Sequence, residues 1–289
     1  GMDNMKKFMS KDESVNLKYA SKYASTANYW KNRQGMIDAL TKAKTAAAKS
    51  NEEAKFNAWA NKAENKEKYG NVIATINDYY AKTNLKSRHD NYLSQLVRTA
   101  SYGVAPYILG NALIAFYKEN DAKRAEMLPK ITGLIDNYYG DFYAPLEKEV
   151  LTAQLNLYAA KASEYGLAPV VAKMKETNKG SFAADVDKAI TGSIFASKES
   201  VEAFMKDPKP ELIAADQLYV ISNDLMTKLR AKSEEQAKAD DDFAIAYRKL
   251  VEGLRESKLN TIQYPDANST LRLTYGKVRA LPADKRNDA

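Results

Sequence analysis

Apolar residues recur at helical spacing along nearly the whole of this 289-residue chain. A stripe of that period must be buried against other helices. In residues 146–158 the stripe is Leu146, Val150, Leu151, Leu155 and Tyr158. Pro145 stands just ahead of it, at a first-turn position where a proline forfeits no hydrogen bond. Residues 212–229 repeat the pattern with Leu218, Ile221, Leu225 and Leu229, and residues 243–254 with Phe243, Tyr247, Leu250, Val251 and Leu254. Asp240, Asp241 and Asp242 precede the last stripe. Three carboxylates there suit a helix N-terminus, with its free N–H groups and positive dipole end. Breaks at Gly70, Gly140, Gly166, Gly180 and Asp207-Pro208-Lys209-Pro210 divide the chain into roughly eight to ten helices.

The pattern changes once. Residues 264–278 read Tyr-Pro-Asp-Ala-Asn-Ser-Thr-Leu-Arg-Leu-Thr-Tyr-Gly-Lys-Val, a turn followed by alternating apolar and β-branched residues. A lone strand after an all-helical chain has no sheet to join, and its backbone groups would lack partners. The expectation is an all-α, irregular multi-helix bundle over residues 1–263. Residues 264–289 are then a linker and strand leading to a sheet that lies elsewhere in a longer protein.

Composition narrows the function classes. There are no cysteines, which removes disulfides and thiolate metal sites. The net charge of +7 raises the question of nucleic acid. The lysines, however, are interleaved with Asp and Glu, as in KAENKEKYG, and form no dense basic block, so nucleic acid is not an expected partner. Residues 99–117 carry no charge but include Pro106, Gly103, Gly110, Asn111 and three tyrosines. They read as a helix buried inside the domain, not as a membrane span. The many tyrosines read as core residues with the hydroxyl at the rim.

Catalytic patterns are absent. A serine-hydrolase triad needs a histidine bonded to both a nucleophile and a carboxylate. The chain has one histidine, His89. Its neighbour Asp90 is adjacent in sequence, and adjacent helical side chains do not face each other. His89 therefore reads as a surface histidine. There is no Gly-x-Ser-x-Gly elbow, His-Glu-x-x-His pair, or Walker or Rossmann glycine pattern, so no metal or cofactor is expected.

Two segments carry a resemblance. Residues 17–36, LKYASKYASTANYWKNRQGM, and residues 264–276, YPDANSTLRLTYG, resemble stretches of the bacterial serine dipeptidyl peptidases of the dipeptidyl-peptidase 7/11 type, serine peptidase family 46. The resemblance implies a helical cap domain inserted in a chymotrypsin-like double β-barrel. The barrel would hold the catalytic Ser, His and Asp, all outside these residues. It implies a parent enzyme that releases dipeptides from peptide N-termini in the periplasm or cell envelope. That parent would be secreted by a signal peptide not among these residues. A peptide substrate and the missing barrel are the expected partners, with a homodimeric parent as a further expectation. It also implies that Asn28 helps hold the substrate's α-amino group, with Tyr29 and Trp30 beside the same pocket. From the residues alone, Asn28 reads as a helix N-cap, and Tyr29 and Trp30 as a packed aromatic pair. The rival functional reading is a non-enzymatic helical binding or scaffold module.

Overall fold

The computed structural model describes residues 1–177, 181–259 and 275–280. Thirteen α-helices lie among them. The first group is α1 (Met2–Met9), α2 (Glu13–Lys42), α3 (Thr45–Ala60), α4 (Lys66–Tyr69), α5 (Val72–Thr99) and α6 (Ala105–Lys118). The second is α7 (Asp121–Tyr139), α8 (Ala144–Lys161), α9 (Pro169–Thr177), α10 (Ala183–Ile190), α11 (Lys198–Lys206), α12 (Gln217–Arg230) and α13 (Glu234–Glu256). No strand occurs among the described residues. Residues 275–280 have no regular secondary structure. The rest of the expected 264–278 strand, and the 263/264 boundary, lie outside the described residues.

The stripes explain the packing. Leu146, Val150, Leu151, Leu155 and Tyr158 of α8 are all buried, as are Leu218, Ile221 and Leu225 of α12. They join a large core that takes in α1, the start of α2, the C-terminal half of α5 and helices α6 to α12. A second, smaller core lies apart from it. Phe56 and Ala60 of α3, Tyr69 of α4, and Val72 and Ile73 of α5 meet there, with Leu250 and Leu254 of α13 packed against them. Helix α5 runs from one core to the other, a span of about 42 Å at 1.5 Å per residue. Helix α13 lies antiparallel along its first half. The Tyr79 hydroxyl donates to Asp240 at 3.0 Å, the Tyr79 and Phe243 rings stack at 4.3 Å, and Lys68 bonds Glu252 at 2.7 Å near the far end.

Two glycines permit close approach. A Cβ on Gly110 would sit 2.3 Å from the Tyr219 ring, where α6 crosses α12. A Cβ on Gly253 would sit 2.8 Å from Phe56, where α13 meets α3.

Several expectations are corrected. Asp240, Asp241 and Asp242 do not open a helix: α13 begins at Glu234, capped by the Ser233 hydroxyl. Asp240 lies inside it and is tied to Tyr79, to Gln236 four residues earlier, and to Lys232. Those three hold its carboxyl below the usual range, the Lys232 bond most. The α13 stripe is also partly wrong: Tyr247 and Val251 are exposed, while Ala246 and Gly253 are buried. The break between α2 and α3 falls at Lys44, in the left-handed region at φ 49°, with no glycine or proline to announce it.

Several tyrosine hydroxyls point inward, not to the rim. Tyr102 donates to the Ala196 carbonyl at 2.7 Å and Tyr139 to the Phe195 carbonyl at 2.9 Å. The two phenols pin the non-helical stretch between α10 and α11, whose backbone would otherwise be buried without partners. Burial pushes both phenols up, and pushes Tyr158 up to about 12. In the unfolded chain a phenol titrates near pH 10. Below that pH both states are protonated and the buried bonds contribute in full. Above it the unfolded state ionises first, so stability falls from about pH 10 towards about pH 12. Absorbance titration at 295 nm should resolve a late class among the nineteen tyrosines. That class should ionise together with unfolding. A single class near pH 10 in a folded chain would contradict this packing.

Candidate recognition site

Helix α2 begins where Asp12 accepts from the backbone N–H groups of Ser14 at 2.8 Å and Val15 at 3.4 Å. Its first three turns pack inward. Val15 and Tyr19 are buried, and Tyr23 is partly buried against the large core. Beyond that the helix leaves the bundle. Every residue from Asn28 to Lys42 is exposed. Among them Tyr29 is 72% exposed, Trp30 58% and Ile37 57%, so this half of α2 is an arm with apolar side chains and no cover among the described residues.

The arm is held at its root by a buried carboxylate. Glu147, in the first turn of α8, is 1% exposed. Its Oε1 accepts from the Tyr19 hydroxyl at 2.9 Å and from Lys22 Nζ at 3.2 Å. Its Oε2 accepts from the Ser101 backbone N–H at 2.9 Å. The Tyr19 oxygen in turn accepts from the Tyr143 N–H at 3.1 Å. Burial, and then the Glu147 charge, push the Tyr19 phenol far up, so it stays a donor. Among the described residues, every side-chain hydrogen bond that joins α2 to another helix or turn passes through Tyr19 or Lys22.

The three expected site residues sit on the arm just past this root. Asn28 is exposed and makes no side-chain hydrogen bond among the described residues. The N-cap reading fails, because Asn28 is inside α2 and the cap is Asp12. The packed-pair reading of Tyr29 and Trp30 also fails, because both rings are largely exposed. The three do not converge. At about 100° per residue, Asn28 points roughly 180° from Tyr19, whereas Trp30 lies within about 20° of it. Tyr29 lies between them, on the other flank from Ala27. Helix α2 alone therefore gives Asn28 and Trp30 opposite outlooks.

His89 is the clearest correction. It is 1% exposed, not on the surface. Its Nδ1 lies 2.9 Å from Asp90 Oδ1 and its Nε2 lies 2.8 Å from the Tyr158 hydroxyl. The Tyr158 oxygen also accepts from the Ala168 N–H at 3.0 Å. Adjacent residues on α5 do meet here, because Asp90 lies edge-on to the ring and is steadied by Lys86. The arrangement fastens α5 to α8 and to the turn before α9. His89 and Tyr158 are both buried and bonded to one another, with the Tyr158 oxygen also held by the Ala168 N–H, so the group reads as a structural fastening. No cluster of three or more His, Asp or Glu side chains that could hold a metal occurs among the described residues. No helix among them is long and apolar enough to cross a membrane.

Comparison with known proteins adds the lineage. A family model described as Peptidase S46 matches residues 2–288. A dipeptidyl-peptidase 7 of Capnocytophaga gingivalis is 42% identical over 289 residues, covering 99% of this chain and 40% of that protein. A dipeptidyl-peptidase 7 of Phocaeicola vulgatus is 32% identical over 285 residues, covering 96% of this chain and 39% of that protein. The chain thus spans about two fifths of the length of these curated relatives. In three dimensions it is similar to Porphyromonas endodontalis DPP11 in complex with the dipeptide Arg-Glu. There the TM-score is 0.76 and the identity 26%, over 94% of this chain and 39% of that one. The chain belongs to the peptidase S46 family.

Proposed function

We propose that this chain is the helical, substrate-capping part of a serine dipeptidyl peptidase, and that Asn28 accepts a hydrogen bond from the substrate's α-ammonium. The observation that carries the reading is Asn28 itself: an exposed carboxamide with no partner among the described residues, on an arm whose root is fixed. Relatives that carry the name dipeptidyl-peptidase 7 support the reaction class.

The chemistry is consistent. An ammonium drawn out of water needs oxygen acceptors in its place. A carboxamide oxygen supplies one, and a carboxylate from the remainder of the polypeptide would supply the opposite charge. Two extended residues span about 7 Å, so an amine held at that distance from the nucleophile sets the cut after the second residue. Hydrolysis would run through an acyl-enzyme formed in the catalytic barrel. The periplasm or cell envelope is the proposed setting and a homodimer the proposed state of the whole protein.

Two outcomes are expected. The 289-residue chain alone should not cleave dipeptidyl substrates, since its one histidine is buried in a structural network. Turnover that co-purifies and scales with this chain would refute that. In the full-length protein, Asn28→Ala removes one acceptor from a charged donor, an interaction worth about 1.5–3 kcal/mol. The loss in kcat/KM should then be roughly ten- to a hundred-fold for free amino termini, and smaller for blocked ones. An unchanged ratio of kcat/KM between free and blocked substrates would remove Asn28 from recognition.

A further inference from the structure

We infer that Glu147, acting with Tyr19 and Lys22, is a positioning residue for Asn28; the inference rests on the reading of Asn28 as the amine acceptor. Glu147 lies on α8 and touches none of the arm beyond its root, so its influence on Asn28 is mechanical.

Three observations carry it. The arm has no other polar fastening: the bonds from α2 to other elements, among the described residues, run through Tyr19 and Lys22, and both end on Glu147. The fastening is complete, since both carboxylate oxygens are occupied and the Tyr19 oxygen also holds the Tyr143 N–H. The apolar support ends at the same level. Tyr23 is the last α2 side chain packed on the large core, and from Asn28 to Lys42 every residue is exposed. Lys22 is therefore the last polar anchor before the uncovered stretch, and Asn28 lies six residues past it.

Lever geometry turns this into a functional claim. Six residues of helix are about 9 Å, so a tilt of about 6° at Lys22 moves Asn28 by about 1 Å. An error of that size in a positioning contact can cost up to roughly a hundred-fold in rate. A buried carboxylate with three donors around it suits such a post. Its bonds are directional, and its buried charge cannot readily give up a partner. Apolar packing alone would permit small rotations at little cost.

The test uses the full-length enzyme and three variants beside Asn28→Ala. Lys22→Met and Tyr19→Phe each remove one bond to the hub while keeping most of the side-chain volume. Lys22→Arg restores a cation. For each, kcat/KM is measured on a dipeptidyl substrate with a free amino terminus and on its amino-blocked counterpart. The expected result is a drop of roughly tenfold in the free-to-blocked ratio for Lys22→Met and Tyr19→Phe, with recovery in Lys22→Arg. Equal losses on both substrates, or no loss, while Asn28→Ala still lowers the ratio, would overturn the positioning role and leave the amine contact standing. If Asn28→Ala itself leaves the ratio unchanged, the amine contact fails and this inference falls with it. Circular dichroism of each variant accompanies the kinetics. A ratio change confined to variants that have lost helical signal counts against the inference.

Discussion

Glu147 anchors the root of α2, the longest helix among the described residues. A carboxylate that is 1% exposed must find donors in place of water, and this one finds a phenol, an ammonium and a backbone N–H. Each donor belongs to a different piece of the chain or to a different turn of α2. The α8 N-terminus, the turn before α6 and the root of α2 are therefore locked together by one group. The first-turn position on α8 helps, since the positive end of the helix dipole favours a negative charge. Between that root and the turn into α3, every α2 residue from Asn28 to Lys42 is exposed, so the Asn28 end of the arm takes its direction chiefly from the root at Glu147.

The rest of the architecture gives that hub a rigid seat. Helix α5 enters both cores, and its second half packs Leu93, Leu96 and Val97 beside α8. His89, one turn earlier, bonds Tyr158 of the same α8. Two polar clasps and a continuous apolar seam thus hold α8 still. The smaller core around Phe56, Tyr69 and Ile73 holds the far end of α5 and receives α3, which returns the chain from the tip of the arm. The arm is consequently supported at its root and at the turn into α3, and is bare between them among the described residues.

Much of this was legible in the residues, and what was missed has a common cause. Helix class, the α8 and α12 stripes and the first-turn proline follow from periodicity and from the missing N–H of proline, which act locally. Polar residues lying in an apolar register are where the reading fails: His89 reads as a surface residue, and Glu147 draws no reading at all. His89 stands four residues before Leu93, and Glu147 three and four before Val150 and Leu151, in line with buried side chains. A charged or titratable residue in such a line is one that must be buried and partnered, and that signal was available. The partners were not, since Tyr19 and Glu147 lie 128 positions apart and only the fold brings them together. The turn at Lys44 carried no signal, because a lysine rarely adopts a left-handed backbone. As for the proposed site, the Asn28 segment is pointed to by family resemblance alone, while its place inside a helix and the divergence from Trp30 needed the structure.

The most direct test is a crystal structure of the full-length protein with a dipeptide bound. The account predicts that the Glu147 bonds to Tyr19, Lys22 and the Ser101 N–H persist. It also predicts Asn28 Oδ1 within about 3.2 Å of the dipeptide's ammonium nitrogen. A dipeptide whose ammonium is held wholly by other groups, with the Asn28 side chain turned to solvent, would contradict it.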